Sequence, residues 1–240
     1  METKDIITVT ISSLAFVVAA LSYWNTLRQR RVDNQRTLRL ALTDVIADLV
    51  QVDWDRSELD RTNEGSKDDR VVDMRRILNS KRSYLARHGD FLAEQMSDLV
   101  TDADFNNLAR AFAAIGDYDK ARAYWQRCVA HSSTSLIRSM NLRGYARFLF
   151  LLGDIDVGRK AYRESLEAQM PDNDETRRIR ADTYAMWMKA ERDFGFPEEA
   201  ARLFDSAIAS AKRIGTAKTR EEMLGYIESL LRPAAEANDA

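Results

Sequence analysis

The chain has 240 residues, with 36 Lys and Arg against 38 Asp and Glu. One Cys excludes a disulfide framework and a thiolate zinc cluster, two His leave little for metal chemistry, and a net charge of −2 argues against a bulk electrostatic nucleic-acid binder. Nine Gly and three Pro imply few turns, and the charged, Ala- and Leu-rich remainder points to an all-α protein. The mean hydropathy of −0.43 also conceals a long charge-free stretch near the start.

That stretch, Ile6–Trp24, is 19 residues without a charge. As a helix it measures about 28 Å, close to the ~30 Å hydrocarbon core of a bilayer. Its Thr and Ser hydroxyls can bond back to helix carbonyls. Tyr23 and Trp24 stand at one end, where amphipathic rings favour the headgroup layer, followed by Arg28, Arg30 and Arg31 and then Arg36 and Arg39. The sequence therefore predicts a short tail and a single transmembrane helix over residues 1–27. The positive excess puts the rest of the chain in the cytoplasm, as for a bacterial inner-membrane protein. A cleaved signal peptide fits less well, because METKD is a poor basic n-region and Val18-Ala19-Ala20 a weak cleavage match. A buried core helix would not normally be apolar all round with an Arg cluster behind it.

Residues 28–99 read as a juxtamembrane helical stalk. Leu38, Leu42, Val45, Leu49 and Val52 follow a 4-3-4-3 spacing, interrupted at Arg56 and resumed at Leu59. The seam is short for a coiled coil, so packing on the next helix is the expectation and self-association the alternative. Thr62–Arg70 contains Gly65 and no apolar residue, which predicts a loop. A second helical pattern runs through Val71, Met74, Leu78, Leu85, Leu92 and Leu99, with a bend or break expected at Gly89-Asp90. The two helices form a hairpin.

Thr101-Asp102-Ala103-Asp104 reads as a helix N-cap with a carboxylate at the third helical position. Phe105, Leu108, Ala109 and Phe112 follow, then a turn at Gly116-Asp117, then Ala121, Trp125 and Cys128. This order of large and small residues resembles a tetratricopeptide repeat. The pattern recurs 37 residues on at Leu142, Tyr145, Ala146, Leu149, Gly153, Gly158, Tyr162 and Ser165. It recurs again after a further 42 at Tyr184, Trp187, Gly195, Ala200, Phe204 and Ala207. These periods exceed the family's 34, and the extra residues fall around His131–Ser135 and Pro171–Thr176. The third copy departs at Met188 and Glu191, which predicts a shifted register for its first helix. The resemblance covers Thr101–Ile214 and implies an α–α superhelix of about three helix pairs: 101–134, 138–171 and 180–214. Thr219-Arg220-Glu221-Glu222 reads as a capping box opening a terminal helix with Met223, Leu224, Ile227, Leu230 and Leu231 on one face, ended by Pro233. Residues 215–240 are thus a capping helix and a tail, with disorder expected over Ala234–Ala240.

No nucleotide-binding, zincin or CxxC motif occurs, and no catalytic residue, cofactor or metal site is expected. His88 and His131 lack metal-ligand neighbours, Cys128 occupies a small-residue packing position, and Trp125 and Trp187 fall at core positions. Asp117/Asp119 and Glu198/Glu199 stand where they would cap the following helices. The resemblance implies that the first helix of each pair lines a concave groove. The position after the family's small residue holds Arg110, Arg147 and Lys189, with Asn106 and Arg143 one turn earlier. Stacked repeats would set these side chains in a ladder able to hold the carboxylates of an acidic peptide or chain terminus. The alternative is a solvated basic face with internal ion pairs. The expected function is a membrane-anchored, non-catalytic scaffold or adaptor binding a protein partner. Its alternatives are a structural subunit that oligomerises through anchor and stalk, and a regulatory partner of a neighbouring enzyme. Contacts with the bilayer are expected over residues 6–24, and none with nucleic acid.

Overall fold

The structure, a computed structural model, describes residues 3–65 and 68–231, with side chains described from residue 21 onward, Ser97 excepted. Among these residues every regular element is helical, and the chain divides into two compact units, Met1–Val100 and Thr101–Ala240.

The first unit is a helix hairpin of α1 (Thr3–Thr62) and α2 (Asp69–Gln95), with a short 3-10 turn at Ser97–Leu99. At 1.5 Å per residue α1 is about 90 Å long. Its Thr and Ser residues do not break it, because Thr26, Thr37, Thr43, Ser57 and Thr62 each donate a hydroxyl to the carbonyl four residues earlier. Leu42, Val45, Leu49 and Val52 are buried, and on α2 so are Leu78, Leu85 and Leu92. The interruption of the apolar pattern at Arg56 is filled by polar contacts across the hairpin. Arg56 and Arg75 both donate to Asp60, and Arg56 also donates to Asn79. Hydrogen bonding from Arg56 and then Arg75 outweighs burial and holds the Asp60 carboxyl below the usual carboxylate range. One turn away, the buried Arg82 reaches Asp53 at 2.8 Å.

Two features of this unit depart from expectation. α2 continues unbroken through Gly89-Asp90. Gly89 is buried on the same face as Leu85 and Leu92, and that packing overrides a local penalty of about 1 kcal/mol. Met74 and Leu99 are exposed, so the seam facing α1 uses Ala86 and Ala93 beside the leucines instead.

No helix among the described residues is long and apolar enough to cross a membrane. Of the expected span Ile6–Trp24, only the side chains of Leu21–Trp24 belong to the described set. Tyr23, Trp24, Arg28, Arg30 and Arg31 are all exposed on α1.

The second unit contains three helix pairs: α3 (Asp102–Ala114) with α4 (Tyr118–Ala130), α5 (Ser135–Leu151) with α6 (Ile155–Glu167), and α7 (Asp174–Asp193) with α8 (Pro197–Lys212). α4 packs on α5, both α5 and α6 pack on α7, and α9 (Ala217–Ser229) packs on α7 and α8. Each pair is closed by the same turn. Gly116, Gly153 and Gly195 have φ of +82°, +80° and +86°, a region that only glycine enters without steric cost. The N–H after each glycine bonds the carbonyl five residues back: Asp117 to Phe112, Asp154 to Leu149, and Phe196 to Glu191. Each glycine N–H bonds the carbonyl three back, completing a Schellman motif.

The close approaches that small residues permit are also present. A Cβ on Gly144 would lie 2.6 Å from the Trp125 ring, and one on Gly158 would lie 2.6 Å from the Phe150 ring. Cys128 is fully buried and donates its thiol to the Asp102 carbonyl. Burial, with the Asp102 charge, pushes the thiol up to about 12. The extra residues between pairs lengthen the first helices: α5 has 17 residues and α7 has 20, against 13 in α3.

Two further expectations fail here. The register of α7 is not shifted, since Trp187, Met188 and Glu191 are all buried at the positions the pattern assigns them. Nor does Thr219 cap α9. The helix starts at Ala217 behind Thr216, whose hydroxyl and N–H both go to Asp174 at the start of α7. Asp174 also accepts the N–H of Gly215, and hydrogen bonds from Gly215 and Thr216 lower its carboxyl to about 2. Met223 and Ile227 are buried, Leu224 and Leu230 half-buried, and Leu231 is exposed. Pro233 and the expected tail lie outside the described residues.

Candidate functional site

Positions in the helix pairs decide what surrounds each candidate residue. Arg110, on α3, is exposed, while Asn106 is half-buried one turn earlier. A hydrogen bond from Asn106 partly offsets the upward shift of the buried Cys128 thiol, so this amide is turned toward the α3–α4 contact.

Arg147 and Lys189 come together where α5 faces α7, and Arg143 stands one turn earlier on α5 against Asp182. A cleft of about 60 Å³ opens there, lined by Arg147 and Leu151 of α5, by Met186, Lys189 and Asp193 of α7, and by Phe194. Two phenols reach Met186, one of its lining residues. The Tyr162 hydroxyl donates to the Met186 carbonyl at 3.4 Å, and Tyr226 of α9 reaches the Met186 sulfur at 3.5 Å. Burial raises the pKa of both tyrosines, Asp182 adds to the rise at Tyr226, and the charges of Arg147 and Arg143 oppose it at both.

The cations in and around this cleft differ in their partners. Arg143 is ion-paired and hydrogen-bonded to Asp182 of α7. Lys189 pairs with Asp193 at 2.6 Å, and Arg192 reaches the other oxygen of the same carboxylate at 3.3 Å. Burial disfavours the Asp193 anion, but the hydrogen bonds and charges of Lys189 and Arg192 outweigh it and lower its pKa. Arg192 also donates to the Leu230 carbonyl, tying the end of α9 to α7. Arg147 is exposed and makes no hydrogen bond or salt bridge among the described residues. Of the four cations of the expected ladder, Arg143 and Lys189 are neutralised by their own carboxylates, Arg110 lies apart on α3, and Arg147 faces solvent beside apolar side chains. Leu151 and Phe194 are 63% and 38% exposed at this edge.

Behind the cleft, α7 is fixed by a buried ion pair that the residue pattern did not announce. Glu191 is fully buried, and Arg159 of α6 donates to both its oxygens at 2.8 and 2.7 Å. The Trp187 indole N–H donates to the same carboxylate at 2.8 Å. The Arg159 guanidinium also stacks 4.6 Å from the Phe196 ring centre, in the α7–α8 turn. A fork-to-fork pair with a third donor satisfies the carboxylate, which is the condition for a buried charge to be tolerated. An acid stands at an apolar position because the preceding pair supplies its counter-ion.

Sequence reasoning missed Asp182, Asp193 and Tyr226. Asp193 was legible, four residues after Lys189 on one helix face. Asp182 was not, because its partner is 39 residues away in the preceding pair. Among the described residues no group of His, Cys, Asp or Glu side chains is arranged to hold a metal ion. No protein family, curated protein or solved structure matches the chain.

Proposed function

We propose that this protein is a membrane-anchored, non-catalytic scaffold of the tetratricopeptide-repeat type. Its α5–α7 cleft binds a protein partner through an acidic group. The observation that carries this reading is Arg147: an exposed guanidinium with no ion pair among the described residues, set beside Leu151, Met186 and Phe194. A guanidinium recognises a carboxylate bidentately, and apolar neighbours favour a contact that sheds water around the charge. The adjacent Arg143–Asp182 and Lys189–Asp193 pairs hold their own cations in place, so that the partner's carboxylate is directed to one site. Repetition of one turn in three successive pairs supports the repeat assignment. The charge-free Ile6–Trp24 segment supports the anchor, and the Arg residues after it support a cytoplasmic location for the second unit. Anchoring raises the local concentration of whatever the cleft holds.

The test is affinity purification of the full-length protein from membranes, wild type beside Arg147→Glu, with bound proteins identified by mass spectrometry. The reading expects the chain to resist alkaline extraction and a specific protein to be lost on charge reversal. Unchanged recovery would sink the cleft, and release by alkali would sink the anchor.

A further inference from the structure

α2 carries two helical seams, and only one of them faces α1. The buried seam runs through Leu78, Arg82, Leu85, Gly89 and Leu92. A second seam lies on the exposed face, with Met74, Ile77, Tyr84 and Phe91 at 47, 59, 67 and 60% exposure. Lys81 and His88 fall between them, so the spacing alternates 3 and 4 from residue 74 to residue 91. Among the described residues the only ring packed against this seam is its own His88, beside Tyr84. A strict seven-residue repeat drifts only ~20° per heptad around a helix, so a slightly supercoiled partner helix can follow the whole seam.

We propose that a second copy of this chain covers that seam, two α2 helices packing side by side in the same direction. The surface left open matches what such a pair needs. Aromatic side chains carry roughly 150–250 Å² each and Met and Ile somewhat less, so at these exposures the four leave about 400 Å² to cover. That is about half of the ~800 Å² per partner of a standard interface, so the apolar seam forms its centre and the polar residues beside it its rim. The seam is also complementary to itself in one register. In parallel alignment Ile77, Tyr84 and Phe91 each meet the same residue of the second copy. The polar Lys81 and His88 layers then meet polar layers, whereas a shift by half a heptad sets Lys81 against an apolar residue. Isolated polar layers of this kind fix register and strand number at a cost in affinity. The inference is independent of the α5–α7 cleft, since no residue of the seam belongs to it.

The experiment is disulfide crosslinking of the full-length chain in mild detergent, using single cysteines. The native Cys128 is buried with its thiol pushed up to about 12, so the engineered thiol reacts alone. Tyr84→Cys is expected to crosslink at least about tenfold faster than Trp54→Cys, a 68% exposed position on the outer face of α1. Adding Ile77→Asp and Phe91→Asp should slow the Tyr84→Cys reaction about tenfold or more with helicity unchanged, because both residues are exposed in the single chain. Lys81→Leu should tighten the dimer about tenfold. Equal crosslinking at residues 84 and 54 would overturn the proposal, as would insensitivity to the two aspartates or a chain monomeric at high concentration.

Discussion

The two units solve helix packing differently. The hairpin uses length: α1 and α2 hold 60 and 27 residues, and one apolar seam runs between them with few caps or turns. The second unit uses interruption: three short pairs, the first helix of each ended by a left-handed glycine and a Schellman turn, with Asp117 and the capping boxes at Thr101 and Asn173 restarting the helices. Both bury an ion pair, but in unequal surroundings. Arg82 lies against Asp53, whose side chain is 34% exposed, so water shares the charge. Glu191 is wholly buried and depends on Arg159 and Trp187. Position along a long helix is therefore tolerant, whereas position at the junction of two pairs is not.

The largest expected effect breaks this contrast if it fails. Glu191→Ala removes the buried acceptor of the Arg159 guanidinium and of the Trp187 indole N–H, leaving Arg159 only the exposed Asp156 at 3.7 Å and the Phe196 ring, and should destabilise the fold by about 3 kcal/mol in urea unfolding. Arg82→Ala should cost only about 1–2 kcal/mol, mostly packing, because Asp53 can turn to water. Equal losses would mean that the hairpin pair is as dependent on its surroundings as the pair between α6 and α7. Next in size, Gly116→Ala, Gly153→Ala and Gly195→Ala each force a side chain into the left-handed region, at about 1–2 kcal/mol. Thermal melts should place the three variants within about 0.5 kcal/mol of one another, since differences that small are expected from surroundings alone. One variant much worse than the rest would show that the turns are not equivalent.

The smallest effect concerns how α9 is held to α7. Asp174 has its carboxyl lowered to about 2 by hydrogen bonds from Gly215 and Thr216. An unfolded Asp titrates near 4, so this contribution is complete above about pH 4 and disappears as the pH falls toward 2. Asp174→Asn should therefore flatten the acid side of the stability profile, read by circular dichroism across that window. A variant with the wild-type acid slope would remove Asp174 from the account.

Particular residues show why some of this was legible in the sequence. The hairpin core was written in spacing, because Leu42, Val45, Leu49 and Val52 follow from helix periodicity alone. The three glycine turns were legible because they recur. What could not be read were contacts between residues far apart in the chain, whose meeting depends on how successive pairs are displaced. Arg159 and Glu191 are 32 residues apart, and Arg143 and Asp182 are 39 apart. Local rules also misjudged Gly89 and Thr219. The first is held in a helix by its packing, and the second falls inside α9, whose start is set at Thr216 by hydrogen bonds to Asp174. In the candidate site, the sequence supplied Arg143, Arg147 and Lys189, but not which of them would be neutralised.

That last distinction is the centre of the functional account, and one measurement tests it most directly. The protein recovered from membranes is titrated against the full-length chain, as wild type and as Arg147→Glu. Loss of Arg147, which makes no ion pair among the described residues, and its replacement by a repelling charge should weaken binding by about tenfold or more. An affinity unchanged by the reversal would contradict the assignment of the α5–α7 cleft as the binding site.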